Sequence, residues 1–96
     1  MRHCYLVCYD ICDAKRLRRV HKMMKGFGES WQYSIFFCIL KDTDRVRLQM
    51  SIEKEINQHE DRVMILELGN DEHAARKRVT VLGESIPEIE TGMVVI

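Results

Sequence analysis

The chain is poor in residues that break or staple a fold. It has one proline in 96 residues, and no repeat, low-complexity tract or linker-like stretch divides it. That composition and length imply one domain around a single modest core. The formal net charge is zero, so no whole-molecule field draws the protein to nucleic acid or to a membrane. Any such attraction has to come from how the charges are arranged. No apolar run has membrane-spanning length: the N-terminal one is short and Asp10 interrupts it. With neither a secretory signal nor a membrane span to read, the cytoplasm is the expected compartment.

Metal-cage and disulfide signatures are missing too. The four cysteines are Cys4, Cys8, Cys12 and Cys38, and the first three fall at i, i+4 and i+8, on one side of a strand. That spacing suits neither a C-x-x-C zinc pair nor a secreted disulfide framework, so small thiols in a reducing compartment are expected. The four histidines are scattered, with no ligand pattern and no nucleophile partner at a supporting spacing. Zinc fingers and a clear helix-turn-helix are absent, which removes sequence-specific base reading.

What is present begins with Cys4-Tyr5-Leu6-Val7-Cys8-Tyr9-Asp10-Ile11, an apolar run of strand length closed by an acid. Its near-continuous hydrophobicity predicts a central strand from His3 to Tyr9 or Asp10, buried on both faces. A helix is predicted over Ala14–Lys25, N-capped by Asp13 and ended by Gly26 and Gly28. Leu17, Val20, Met24 and Phe27 recur at helical spacing. The run Trp31–Leu40 reads as one long strand or as two with a break near Tyr33 and Ser34. A second helix is predicted from Asp42 or Thr43 to about His59, with Val46, Leu48, Met50, Ile52 and Ile56 on its apolar face. Arg62–Leu68 reads as a strand stopped by Gly69-Asn70-Asp71. Glu72–Arg78 is a short helix or a loop, and Val79–Leu82 a short strand. The order β-α-β(β)-α-β predicts an α+β, ferredoxin-like sandwich in one domain spanning 1–96, with two helices on one face of an antiparallel sheet.

Charge is unevenly placed. Lys15, Arg16, Arg18, Arg19, Lys22 and Lys25 lie between Ala14 and Gly28 with no acid among them, and Arg76, Lys77 and Arg78 form a second cluster. Solvated helices usually mix signs, so this run points to phosphate-backbone contact that is salt-sensitive and indifferent to sequence. Asp10, an acid at a strand end beside these cations, is the candidate for metal-assisted phosphate chemistry. Mg²⁺ keeps most of its waters and needs only one or two carboxylates plus substrate phosphate. One acid per chain is thin, and a two-fold dimer bringing two copies together would repair it. Trp31, Tyr33, Phe36 and Phe37 are candidates for base stacking, with packing the commoner use of such residues.

The ordered set Tyr5-Leu6-Val7-Cys8-Tyr9-Asp10-Ile11, the basic helix ending at Gly28, Gln32-x-Ser34-x-Phe36, the Val63–Gly69 strand and Arg76-Lys77-Arg78-Val79 resembles the small CRISPR-associated endonucleases of spacer acquisition, the Cas-two family. The resemblance covers essentially the whole chain. It implies a homodimer whose C-terminal strand, here Met93-Val94-Val95-Ile96, packs on the partner's sheet. It also implies that two copies of Asp10 hold one Mg²⁺ as the catalytic and metal-binding acid. Nucleic acid, duplex DNA or single-stranded RNA, would be contacted by Tyr9, Lys15, Arg16, Arg18, Arg19, Lys22, Arg76, Lys77 and Arg78. The implied functions are metal-dependent endonuclease, non-catalytic scaffold bridging copies of the larger CRISPR integrase, or a toxin-type ribonuclease of related fold. Two positions depart from many relatives: Ser30 replaces an Arg, and Phe37 replaces a Glu.

Overall fold

The computed structural model describes residues 1–84 and the strand Val94–Val95. Strand β1 (Arg2–Asp10) is central. It pairs antiparallel with β3 (Ile35–Lys41) on one side and β4 (Arg62–Glu67) on the other, and β2 (Gly28–Gln32) pairs with β3. The sheet order is β2-β3-β1-β4. Helices α1 (Ala14–Met24) and α2 (Asp42–Glu55) follow β1 and β3. This is the ferredoxin-like arrangement.

Alternation along β1 explains its burial on both faces. Tyr5, Val7 and Tyr9 join Val20 and Met24 of α1, Leu48 and Ile52 of α2, and Phe36, Cys38 and Leu40 of β3 in the main core. Cys4 and Leu6 point the other way, into a smaller cluster with Trp31, Phe37 and Ala75. Ala75 belongs to α3 (Glu72–Lys77), a segment whose sequence fits helix or loop. Asp71 caps it, its Oδ1 accepting from the Ala74 amide at 3.2 Å. The second face of the sheet is therefore partly covered by a third helix that the two-helix expectation does not include.

Several boundaries move. The aromatic run is two strands, separated by Tyr33 and Ser34, with a register irregularity between Ser30 and Gln32. Gly28 does not end the helix; it opens β2. Helix α2 stops at Glu55 instead of running to about His59, because Ile56 is extended and Asn57 starts a turn that accepts the amides of Glu60 and Asp61. Only Leu48 and Ile52 of its expected apolar face are buried. Val46 and Met50 lie four residues apart on a different stripe and are exposed. Beyond α3, Thr80–Val81 (β5) pairs in parallel with Val94–Val95 (β6) of its own chain. Expected interface residues Met93 and Ile96 lie outside the described residues.

Candidate nucleic-acid interface and strand-end acid

Asp10 ends β1, exposed, on the face away from α1 and α2. The antiparallel register sets its neighbours: Asp10 lies opposite Arg62, Cys8 opposite Met64, and Leu6 opposite Leu66. Directly opposed residues share a face. Asp10 thus stands at the rim of an apolar strip whose Met64 and Leu66 are 53% and 44% exposed. Helix α3 covers the Cys4, Trp31 and Phe37 end of this face, and among the described residues no further element packs on the strip. Exposed apolar strips of this kind are candidates for association. Strand β4 is also a sheet edge, beside a groove of about 470 Å³ between it and α2 that includes Ile52, Ile56, Val63 and Ile65.

The loop behind Asp10 is held by Asp61, whose side chain has no exposed area. Its carboxylate accepts from the Cys12 amide at 3.0 Å, the Asn57 amide at 2.8 Å and Arg16 Nε at 2.8 Å, with a further Arg16 nitrogen at 3.2 Å. Arg16 also reaches Glu60 at 3.1 Å. The Arg16 guanidinium, helped by the two amides and opposed by desolvation, holds the Asp61 carboxyl well below the usual carboxylate range. Two chain segments 45 residues apart are thereby clamped together just beyond the Asp10–Arg62 end of the β1–β4 ladder.

This clamp changes the reading of the basic helix. Arg16 is a structural ion-pair partner, its side chain only 19% exposed. Arg19 pairs with Glu55 at 3.1 Å while staying largely in solvent. Among the described residues no carboxylate pairs with Lys15, Arg18 or Lys22, and with Arg19 these line a shallow recess of about 300 Å³. In the second cluster, Arg76 is turned inward. It bonds Glu29 at 2.7 Å and Glu72 at 2.9 Å and lies over the Phe37 ring at 4.5 Å. Its neighbours Lys77 and Arg78 are exposed.

Tyr9 is also turned inward, 6% exposed in the main core. Its hydroxyl donates to the Tyr33 carbonyl, and burial pushes its pKa up to about 12. The parity of β1 dictates this: Tyr9 and Asp10 are consecutive, so they face opposite sides. Phe37, where many relatives carry an acid, is 1% exposed and stacks on Trp31 at 5.1 Å, so here it is packing. Among the described residues the Ser30 hydroxyl bonds only locally, donating to the Gln32 carbonyl. No group of three or more candidate metal ligands occurs among the described residues. The exposed Asp10 carboxylate is an oxygen donor of the kind Mg²⁺ takes, and the described residues build no all-protein cage around it.

Fold and site together define a ferredoxin-like protein with an acid at the end of its central strand, a basic helix beside it and an open apolar sheet face. The chain belongs to the CRISPR-associated protein Cas2 family, whose model matches residues 2–76. It is 44% identical over 88 residues to a protein of Thermodesulfovibrio yellowstonii named CRISPR-associated endoribonuclease Cas2 2, covering 92% of this chain and 93% of that one. It is 37% identical to the CRISPR-associated endoribonuclease Cas2 of Geobacter sulfurreducens, covering 93% of each. Among solved structures, Streptococcus pyogenes Cas2 at pH 6.5 superposes with a TM-score of 0.74 at 28% identity, over 83% of this chain and 99% of that one. No helix among the described residues is long and apolar enough to cross a membrane.

Proposed function

We propose that this chain acts in CRISPR adaptation, the spacer-acquisition arm of antiviral defence, as a homodimer that binds nucleic acid and hydrolyses phosphodiester bonds at Asp10. One observation carries the reading: Asp10 stands exposed at the rim of the uncovered Leu6, Cys8, Met64 and Leu66 strip. A second copy covering that strip would bring two carboxylates together. The two Asp10 side chains would hold a Mg²⁺, which supplies charge neutralisation at phosphorus and a water of lowered pKa when bound. The Asp61 clamp keeps the strand end rigid, and Lys15, Arg18, Arg19, Lys22, Lys77 and Arg78 steady the phosphate backbone. The β4 edge and its groove suit an added strand from the second copy, which its β5–β6 pair would supply as a unit. Relatives named as endoribonucleases support RNA as a substrate.

Asp10→Asn is expected to abolish Mg²⁺-dependent cleavage of labelled RNA or duplex DNA, at least about a hundredfold, while leaving folding and dimerisation intact. Cleavage that survives the substitution, or that persists in chelator, would remove the catalytic reading.

A second reading has its own support: several cations are open to solvent, against one candidate metal-binding acid per chain. In it, the dimer is a non-catalytic bridge between copies of the larger integrase, binding duplex DNA. Reversing Arg18 and Lys22 to Glu is expected to weaken DNA binding at every sequence. The slope of log affinity on log salt should fall by about 0.9 for each phosphate that the protein no longer neutralises, with the melting temperature little changed. Unaltered binding would rule out α1 as the DNA-binding surface, and acquisition unaffected by Asp10→Asn would favour the bridge.

A further inference from the structure

Tyr33 is an exposed aromatic that neither the core nor the Asp10 site uses. It sits in the β2–β3 turn with half its surface in solvent. Its ring stacks on His21 of α1, centroids 4.0 Å apart and planes 6° from parallel. His21 is backed edge-on by Phe36 of the core at 5.3 Å. One π face of Tyr33 is thus covered, and its exposed surface lies on the other face and the ring edge.

The stack is held in place. The Tyr33 carbonyl accepts from the Tyr9 hydroxyl at 2.5 Å and lies 2.9 Å from His21 Nδ1. Both interactions anchor the backbone of the turn, so the ring needs little further ordering before it meets a ligand. His21 is flanked by Arg18 at i−3 on α1 and by Lys25 at i+4, the residue that caps the helix in helical conformation, both neighbours along the same surface. A flat aromatic surface with a cation on each side along one helix matches a stacked base followed in both directions by phosphate. A ring face and flanking cations carry no pattern that reads a base edge, so any base would serve.

We propose that the Tyr33–His21 stack is a platform for an unpaired nucleobase, giving the protein a site for single-stranded nucleic acid. This rests on the nucleic-acid-binding reading above, but it requires neither Mg²⁺ nor hydrolysis. A closed duplex keeps its base faces stacked internally and can engage the platform only at a frayed or overhanging end.

The test uses the wild-type chain in chelator, where cleavage cannot interfere. Fluorescence anisotropy would measure binding to a single-stranded RNA, a blunt duplex DNA and the same duplex with single-stranded overhangs. A 2-aminopurine in the single strand reports stacking directly. Tyr33→Ala and Tyr33→Leu are expected to weaken single-strand binding about tenfold and to remove the 2-aminopurine quench. Tyr33→Phe should keep both, and blunt-duplex affinity should not change in any variant. Tyr33→Leu retains apolar bulk and the anchored carbonyl, so weaker binding by this variant isolates the ring. Overhang binding that falls with Tyr33→Ala while blunt binding holds identifies duplex ends as a source of the base. The inference is overturned if Tyr33→Leu binds single strands like wild type, or if all three substrates weaken together. It is equally overturned if the wild type binds duplex but no single strand, a result that leaves the nucleic-acid reading standing.

Discussion

Asp61→Ala is expected to destabilise the domain by about 3 kcal/mol, moving the thermal midpoint down by roughly 12–24 °C at this chain length. The carboxylate has no exposed area and serves two backbone amides and a guanidinium at once. Removing it leaves the Cys12 and Asn57 amides without their acceptor and Arg16 with only the more exposed Glu60. Differential scanning calorimetry checks this, and a change of a degree or two would mean that the clamp contributes little. The linked pH dependence has a definite sign. A carboxyl whose pKa is depressed in the folded state contributes stability above its unfolded value, near 3.9, and loses it as pH falls toward the folded value. The gap in midpoint between wild type and Asp61→Asn should therefore be widest near neutral pH and should narrow progressively below about pH 4.

Gly28→Ala is expected to cost about 3 kcal/mol, for a steric reason. Gly28 faces Cys38 across the β2–β3 ladder, and a Cβ there would collide with the Phe37 carbonyl oxygen and sit 2.6 Å from Cys38 Sγ. Its φ is not positive, so backbone strain has no part in this. Combining Gly28→Ala with Cys38→Ala should recover a minor share, because the thiol is removed while the carbonyl, a fixed part of the sheet, stays. Gly26→Ala is the control. Its nearest obstacle is the Met23 carbonyl at 3.4 Å, an ordinary van der Waals separation, and its midpoint should move little. Chemical denaturation of the four proteins decides the matter. Equal destabilisation at Gly26 and Gly28 would point to turn conformation as the cause.

The two positions differ in how far they can be read from the chain. Gly28 is visible as a breaker after an amphipathic helix, yet its neighbours across the sheet are ten residues away and appear only once β2 and β3 are paired. Asp61 stands before a strand with the Asn57 amide as a local partner, while Arg16 and Cys12, which make it a clamp, are distant in sequence. Asp13 is legible as a cap because an N-cap acts within three residues of itself, and its carboxylate does accept the Arg16 amide at 2.9 Å.

Local pattern determined the element order, the central strand, the acid at its end and the one-signed charge of α1, since periodicity and capping are short-range. Tertiary structure decided which cations remain open to solvent. Of the basic residues on that helix, Arg16 is drawn into the Asp61 clamp while Arg19 stays largely in solvent beside Glu55, and Arg76 of the second cluster is folded back onto Glu29 and Phe37. It also decided that Tyr9 is core and Tyr33 is surface. Side-chain direction in a strand alternates, and which face becomes interior depends on where the helices settle. A sequence states how many charges and rings a protein owns; packing determines which of them it can offer to a ligand.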